Sequence, residues 1–126
     1  MSDKPRVLVT RKFPDAVEVR LARDFDAKFN PDDTAYDAET LIELSQDCDA
    51  LLVCSTDKFT AGIIELLPGS LRVISTFSVG YEHIDVAAAS ARNITVTNTP
   101  GVLDAATADL TMMLMLGAAR RASEGE

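Results

Sequence analysis

The sequence lacks any surplus of basic side chains. It has 12 Lys and Arg against 20 Asp and Glu, which gives a formal net charge of −8 at pH 7, and no Lys/Arg-rich run offsets it. Because proteins bind phosphate backbones mainly through Lys and Arg, this charge argues against a nucleic-acid partner. The acidic balance is better explained by solubility.

Long apolar runs are also missing. The longest, residues 110–119, contains Thr111 and falls well short of the roughly 20 residues that a membrane-spanning helix needs. Near the N-terminus, the run Val7-Leu8-Val9 is too short for a signal peptide, and no small-residue cleavage site follows it. We therefore expect a cytoplasmic protein with no membrane partner.

Cysteine and glycine do not have the spacings of common metal or nucleotide sites. Five residues separate Cys48 from Cys54, which is no metal-binding spacing, so we expect two reduced structural thiols and no metal. No two of the six glycines form G-x-G, so the dinucleotide fingerprint G-x-G-x-x-G is absent, as is a phosphate-binding P-loop.

Short apolar runs are nevertheless repeated along the chain, and five of them predict strands. These are residues 6–10, 25–29, 50–54, 72–77 and 94–97. The second carries charges, which favours an edge position in the sheet. The third is apolar throughout, which is typical of a central parallel strand covered on both faces.

Helices are predicted between the strands. Pro14, Thr60 and Asp85 are suited to begin three of them, and a further helix is expected over residues 38–47. Val17, Leu21 and Ala22 give the first helix one apolar face, Leu41, Ile42 and Leu44 are expected to face inward from the second, and the third carries Ile63, Ile64, Leu66 and Leu67. This alternation predicts an α/β fold with a parallel five-stranded sheet in the flavodoxin-like (Rossmann-like) order 2-1-3-4-5.

A last, long helix is predicted to begin at Asp104 as its cap and to extend to about Arg121. Its apolar residues occupy nearly every angle around the axis, which is typical of a helix buried on all sides. The sheet can cover only one side. We therefore expect a second domain, a second subunit or both to cover the rest.

One candidate site is the stretch STFSVGYEHID, residues 75–85, which leaves a strand and enters a helix. Ligands of open parallel sheets bind at that edge. Gly80 can adopt backbone angles that other residues resist, which leaves successive N–H groups exposed to a small carboxylate. An ordinary strand-to-helix turn explains the same residues.

The second candidate is VTNTPGVLDAATAD, residues 96–109. Its Thr-Pro-Gly predicts a turn. Thr107 and Asp109 then lie near the start of the long helix, where the macrodipole favours negative charge. Capping of a buried helix is the competing interpretation.

Together, VISTFSVGYEHID and ITVTNTPGVLDAATADL resemble the D-2-hydroxyacid dehydrogenases, and the glyoxylate/hydroxypyruvate reductases in particular. The strands RVLVT and ALLVC fit as well, so the resemblance covers essentially the whole chain. It implies two Rossmann-like domains that face each other across a cleft. The smaller binds the substrate, and the larger, later in sequence, binds NAD or NADP.

By this resemblance, the backbone N–H groups of Val79 and Gly80 hold the carboxylate of a small 2-oxo acid, and Ser78 is a neighbour in the cleft. Thr107 contacts the cofactor from the long helix, which contributes to a homodimer. Where the chain has Asp104-Ala105, the family often has Thr followed by an acidic residue, which weakens any role for Asp104 itself.

The resemblance also implies how the chain is divided. Residues 1–100 correspond to the substrate-binding domain, and residues 101–126 to a hinge and interdomain helix that leads to an absent nucleotide-binding domain. The family's catalytic Arg, Glu and His lie beyond residue 126, so no residue here has those roles and we expect the chain alone to be inactive. His83, the sole histidine, has a structural position in the family pattern.

The leading hypothesis is thus reduction of glyoxylate or hydroxypyruvate by hydride from a nicotinamide. Some relatives are instead nucleotide-sensing corepressors, although the Ser-Val-Gly loop resembles the reductases. A third class, the phosphoacceptor receivers, requires acidic residues at the end of the first strand and an aspartate at the end of the third. This chain has Thr10 and Cys54-Ser55 there.

Overall fold

Five short parallel strands form the centre of the computed structural model, which describes residues 3–125. The strands are β1 (Arg6–Val9), β2 (Asp26–Lys28), β3 (Ala50–Val53), β4 (Val73–Thr76) and β5 (Thr95–Thr97). Their order is β2-β1-β3-β4-β5, and every pairing is parallel. This confirms the predicted flavodoxin-like order, the edge position of β2 and the central position of β3.

Five helices connect or follow the strands. They are α1 (Asp15–Asp24), α2 (Ala38–Ser45), α3 (Ala61–Leu66), α4 (Val86–Ala91) and α5 (Asp104–Ala119), with a final 3-10 turn at Ala122–Glu124. Thr60 and Asp85 cap α3 and α4 as predicted, because each side chain accepts a hydrogen bond from the backbone N–H three residues later.

Alternation along the strands sends side chains to two apolar clusters, one on each face of the sheet. Val7 and Val9 of β1 pack with residues of α1 in the smaller cluster. Leu8, between them, belongs to the larger cluster, which joins the sheet to α2, α3 and α4. The two faces are therefore both covered, as a parallel sheet requires.

Two of the apolar residues in the predicted patterns of these helices are exposed, Ala22 and Leu66. In α1, Val17 and Leu21 form the covered stripe, and Ala22 lies about 100° further round the axis. In α3, Leu66 lies outside the face that packs on the sheet. The predicted apolar face of α1 was therefore too wide at Ala22, and the covered stripe of each helix is narrower than its apolar pattern.

Helix α5 is exposed along its length: none of its residues is buried, and only Gly117 is half-buried. Its start was also predicted wrongly: Leu103 occupies the N-cap position with no side-chain hydrogen bond, and Asp104 is the first helical residue. Asp104 therefore does not cap the helix, although its negative charge still interacts favourably with the positive end of the helix dipole. Within residues 3–125, no helix has the length and apolar character needed to cross a bilayer.

Candidate anion site at the carboxyl edge of the sheet

The loop between β4 and α4 lies at the carboxyl edge of the sheet, where ligands of such folds bind. Its far end is anchored to the neighbouring β3–α3 loop. Phe59 N–H donates to the carbonyl of His83 at 2.8 Å, and Asp85 N–H donates to the carbonyl of Phe59 at 2.9 Å. The loop is thus held at both ends, and residues 78–82 form its accessible crest.

Hydroxyl groups hold the inside of this loop. The Ser78 hydroxyl donates to the Gly80 carbonyl at 2.7 Å and lies 2.6 Å from the hydroxyl of the buried Thr76. His83 Nε2 lies 3.1 Å from the same Thr76 oxygen. The Ser78 hydroxyl has one proton, which it donates to the Gly80 carbonyl, so the Thr76 hydroxyl is the donor in its hydrogen bond with Ser78. Because Thr76 has then used its own proton, His83 Nε2 is the donor to Thr76. Ser78 and His83 both act here as supports of the loop.

Two carbonyls of the crest are held by the segment that follows β5. Thr99 N–H donates to the Ser78 carbonyl at 3.1 Å, and the Asn98 side-chain amide donates to the Val79 carbonyl at 2.8 Å. All described peptide bonds are trans, so the N–H of each peptide points opposite to its carbonyl. The N–H groups of Val79 and Gly80 therefore both point away from residues 98–99.

Neither of these two N–H groups donates to any acceptor in the described part of the chain. Both residues are half-buried, so solvent reaches this part of the crest. Two adjacent donors that point the same way form a concave site for an anion. The role of Val79 and Gly80 in holding a carboxylate stays a prediction, and these two donors are the groups it would use.

The reason for glycine at position 80 differs from the one expected. Gly80 does not have a positive φ; among the described glycines, only Gly101 does, at 75°. A Cβ at Gly80 would instead touch the carboxylate of Glu82. Because Glu82 is exposed, its side chain can rotate towards solvent. That rotation would relieve the contact and would also move the negative carboxylate of Glu82 away from a bound anion.

Val79 and Thr107 lie along one groove of about 560 Å³, between the crest and the start of α5. The remaining lining residues are Leu103, Asp104, Ala108, Thr111 and Met112. Ser78 and Gly80 are not among them. The Thr107 hydroxyl makes no hydrogen bond within residues 3–125, so it is available to a ligand in the groove.

Arg11 lies just after β1, at the carboxyl edge that also carries the candidate site, and was not singled out in the sequence. Its guanidinium donates to both carboxylate oxygens of Asp33, at 2.8 and 3.1 Å, and to the hydroxyl of Thr56 at 2.7 Å. It thus joins the loops after β1, β2 and β3. No local pattern could reveal this, because its partners are 22 and 45 residues away.

Buried Asp57 closes the β3–α3 loop. Its carboxylate accepts hydrogen bonds from the Thr10 hydroxyl at 2.6 Å and from Cys54 N–H at 2.9 Å. This aspartate follows the third strand, but it is buried and hydrogen-bonded, unlike the accessible phosphoacceptor of a receiver domain. The structure therefore gives no support to the receiver hypothesis.

Both cysteine thiols are free, and burial raises the pKa of each. For Cys54, the nearby Asp57 raises the pKa further. A raised pKa leaves little reactive thiolate at neutral pH. Across residues 3–125, no three His, Cys, Asp or Glu side chains are grouped as metal ligands would be.

The Arg11–Asp33 pair gives a testable pH dependence. Hydrogen bonds from Arg11 and from Lys12 N–H lower the pKa of Asp33 from 3.8 to about 2. A carboxylate with a lowered pKa in the folded state stabilises the fold above its unfolded-state pKa, and that contribution is lost as the pH falls towards 2. We expect Asp33→Asn to lower the urea midpoint at pH 6, and the difference from the parent to shrink between about pH 4 and pH 2.

The control for this measurement is Asp32→Asn. Asp32 is also exposed but accepts no hydrogen bond from the described residues. Its midpoint should follow that of the parent chain at every pH. Parallel pH curves for the parent and Asp33→Asn would contradict the assigned pKa.

The parallel sheet and its flanking helices define a Rossmann-like α/β domain. Comparison with known proteins places it more narrowly. The family model of the D-isomer specific 2-hydroxyacid dehydrogenase catalytic domain matches residues 7–124. The chain therefore belongs to the D-2-hydroxyacid dehydrogenase family, as its motifs indicated.

Similar proteins carry names from this family. The chain is 41% identical to a glyoxylate reductase of Korarchaeum cryptofilum over 98% of its length, and 38% identical to a glycerate dehydrogenase of Hyphomicrobium methylovorum over 98%. It spans 37% and 38% of those two proteins, respectively.

Solved structures agree with this assignment. An NADPH-dependent glyoxylate/hydroxypyruvate reductase from Sinorhizobium meliloti, solved with NADP and malonate, matches 91% of the chain with a TM-score of 0.73 at 32% identity. The chain covers 34% of that structure. Both comparisons thus match this chain to about a third of a longer enzyme.

Proposed function

We propose that this chain is the substrate-binding part of an NAD(P)-dependent D-2-hydroxyacid dehydrogenase that reduces glyoxylate or hydroxypyruvate to the 2-hydroxy acid. The observation that carries the proposal is the pair of accessible N–H groups at Val79 and Gly80, which point the same way. The names of the similar reductases support the substrate class.

In this function, the two amides bind the carboxylate of the 2-oxo acid. Hydrogen bonds to a charged acceptor are stronger than those between neutral groups. Because Asn98 and Thr99 already hold the adjoining carbonyls, little conformational freedom is lost on binding. The residues of this chain thereby orient the substrate, which is a contribution of proximity.

The nicotinamide cofactor, NAD or NADP, would supply the hydride that reduces the keto carbon. The groove with the free Thr107 hydroxyl fits a contact with part of such a cofactor. The sequence has no phosphate-binding glycine loop, so we propose that most of the cofactor is bound by a nucleotide-binding domain outside this sequence. The catalytic Arg, Glu and His would be there as well.

We further propose that residues 1–100 form the substrate-binding domain and that residues 101–126 form the hinge and interdomain helix. The boundary has structural support, because β5 ends at Thr97 and α5 begins at Asp104. The exposed apolar surface of α5 supports a homodimer in which a second copy covers this helix.

A chimera tests the proposed activity. This chain would replace the matching 37% of the Korarchaeum cryptofilum glyoxylate reductase, which supplies the remaining domain. We expect the chimera to oxidise NADH or NADPH with glyoxylate or hydroxypyruvate. Glycolaldehyde, which has no carboxylate, should be reduced far more slowly because it cannot use the two amides.

As a control, binding of NADPH to the chimera is measured through the fluorescence of the cofactor. A chimera that folds and binds NADPH, yet reduces neither acid, would show that this chain does not provide a 2-oxo acid site. Equal rates with glyoxylate and glycolaldehyde would show that the carboxylate is not recognised here.

A further inference from the structure

The structure assigns Asn98 a role in the 2-oxo acid site that does not require contact with the substrate. Asn98 lies one residue after β5, and its side-chain amide donates to the Val79 carbonyl at 2.8 Å. We propose that Asn98 is a positioning residue that orients the Gly80 N–H towards the carboxylate. This inference rests on the proposed function.

The peptide between Val79 and Gly80 depends on this one bond. Among the described residues, Asn98 is the only donor to the Val79 carbonyl. The next carbonyl, that of Gly80, is held within the loop by the Ser78 hydroxyl. The Val79 carbonyl therefore takes its direction from a side chain outside the loop.

Glycine at position 80 makes that restraint necessary. A peptide plane next to glycine rotates with little steric resistance, because no Cβ limits φ. Rotation of this plane would turn the Gly80 N–H towards residues 98–99 and away from the accessible side. With Asn98 in place, both N–H groups stay on the same side.

The same geometry argues against Asn98 as a direct ligand of the anion. Its amide contacts the carbonyl side of the 79–80 peptide, and the N–H donors face the opposite side. Asn98 lies in one of the two candidate motifs of the sequence, but its role could not be predicted there because its partner is 19 residues away.

The test is an NMR titration of the isotopically labelled chain with oxamate, a stable analogue of a 2-oxo acid, and with oxamide, which lacks the carboxylate. In the parent chain, oxamate should shift the amide resonances of Val79 and Gly80, and oxamide should not. In Asn98→Ala, we expect the Kd for oxamate to rise about five- to tenfold, as for loss of one neutral hydrogen bond.

A readout without ligand accompanies the titration. The carbonyl ¹³C resonance of Val79 and the amide resonance of Gly80 should both change in Asn98→Ala, since that peptide loses its restraint. Thr97→Ala is the matched control. Its hydroxyl bonds only to Ser75 on the neighbouring strand, so neither the Kd nor the two resonances should change.

The outcomes separate the two proposals. If oxamate shifts Val79 and Gly80 equally well in the parent and in Asn98→Ala, the role of Asn98 is overturned and the proposed function stands. If oxamate does not shift these amides in the parent chain, both proposals are overturned. Should Asn98→Ala fail to fold, Asn98→Leu replaces it, because leucine has a similar size, has no N–H to donate and adds no charge beside the bound anion.

Discussion

Replacing Gly80 with proline should lower the kcat/KM of the chimera for glyoxylate by about 10- to 100-fold, the value of one hydrogen bond to a charged group. Proline has no backbone N–H, so the substitution removes one of the two proposed donors. This N–H donates to no acceptor in the described chain, so no internal hydrogen bond is lost with it.

Gly80→Ala is the matched control, because alanine keeps the N–H. Gly80 lies outside the left-handed region, so alanine introduces no backbone strain. The nearest atoms to its methyl group belong to the end of the flexible, exposed Glu82 side chain. We expect activity close to that of the parent, with an unchanged KM for NADPH in both variants.

Thermal melting of the two variants separates loss of a donor from loss of the fold. The informative result is a proline variant that melts near the parent temperature and still binds glyoxylate poorly. Equal losses of activity in the alanine and proline variants would mean that the Gly80 N–H is not a ligand of the carboxylate.

Much of the fold could be predicted from local patterns alone. The charged run around β2 indicated an edge strand and the apolar run of β3 a central one, and both predictions are confirmed. The position of a strand in the sheet determines how many of its faces are covered, and the pattern of apolar and polar residues along the strand reflects that number. The cap at Asp85 was likewise predicted from a single residue type at a helix start.

Predictions failed where the answer depended on angles around a helix axis. Ala22 is apolar but lies outside the covered stripe of α1, and Asp104 lies one residue too late to cap α5. A shift of one residue turns a side chain by about 100°, and composition does not determine that shift.

The candidate site was predicted in place but not in its supports. The position of residues 78–80 after a parallel strand was enough to predict that this loop lies at the carboxyl edge of the sheet, where the proposed anion site is. The contacts that direct the amides come from Asn98 and Thr99, about 20 residues later, and only the folded sheet brings them there. Sequence motifs indicate which residues belong to a site more readily than they indicate which residues hold it in shape.

The second large effect concerns α5. We expect the 126-residue chain to form dimers through this helix, and the double substitution Met113→Glu and Leu116→Glu to raise the dimer dissociation constant at least about 100-fold. The two side chains are 60% and 62% exposed and lie three residues apart, so they share one face of the helix. Sedimentation velocity over a concentration series measures the change.

The physical reason is the amount of apolar surface on this helix. Six large apolar side chains between Leu110 and Leu116 are more than half exposed, and three of them are methionines, whose flexible chains adapt well to a partner surface. Each such side chain contributes on the order of 1.5–3 kcal/mol when it is fully buried. A glutamate at either position would have to lose its hydration when the dimer forms, which is unfavourable, so it would weaken the dimer.

A matched control tests whether any new surface charge has the same effect. Val19 on α1 is 70% exposed but has no comparable apolar patch around it, so Val19→Glu should leave the dissociation constant unchanged. A parent chain that stays monomeric at every concentration, or a double variant that dimerises as well as the parent, would exclude α5 as the surface that joins two copies. Because α5 begins at one wall of the groove that contains Thr107, a dimer formed through this helix would also place a second copy close to the cofactor side of the proposed site.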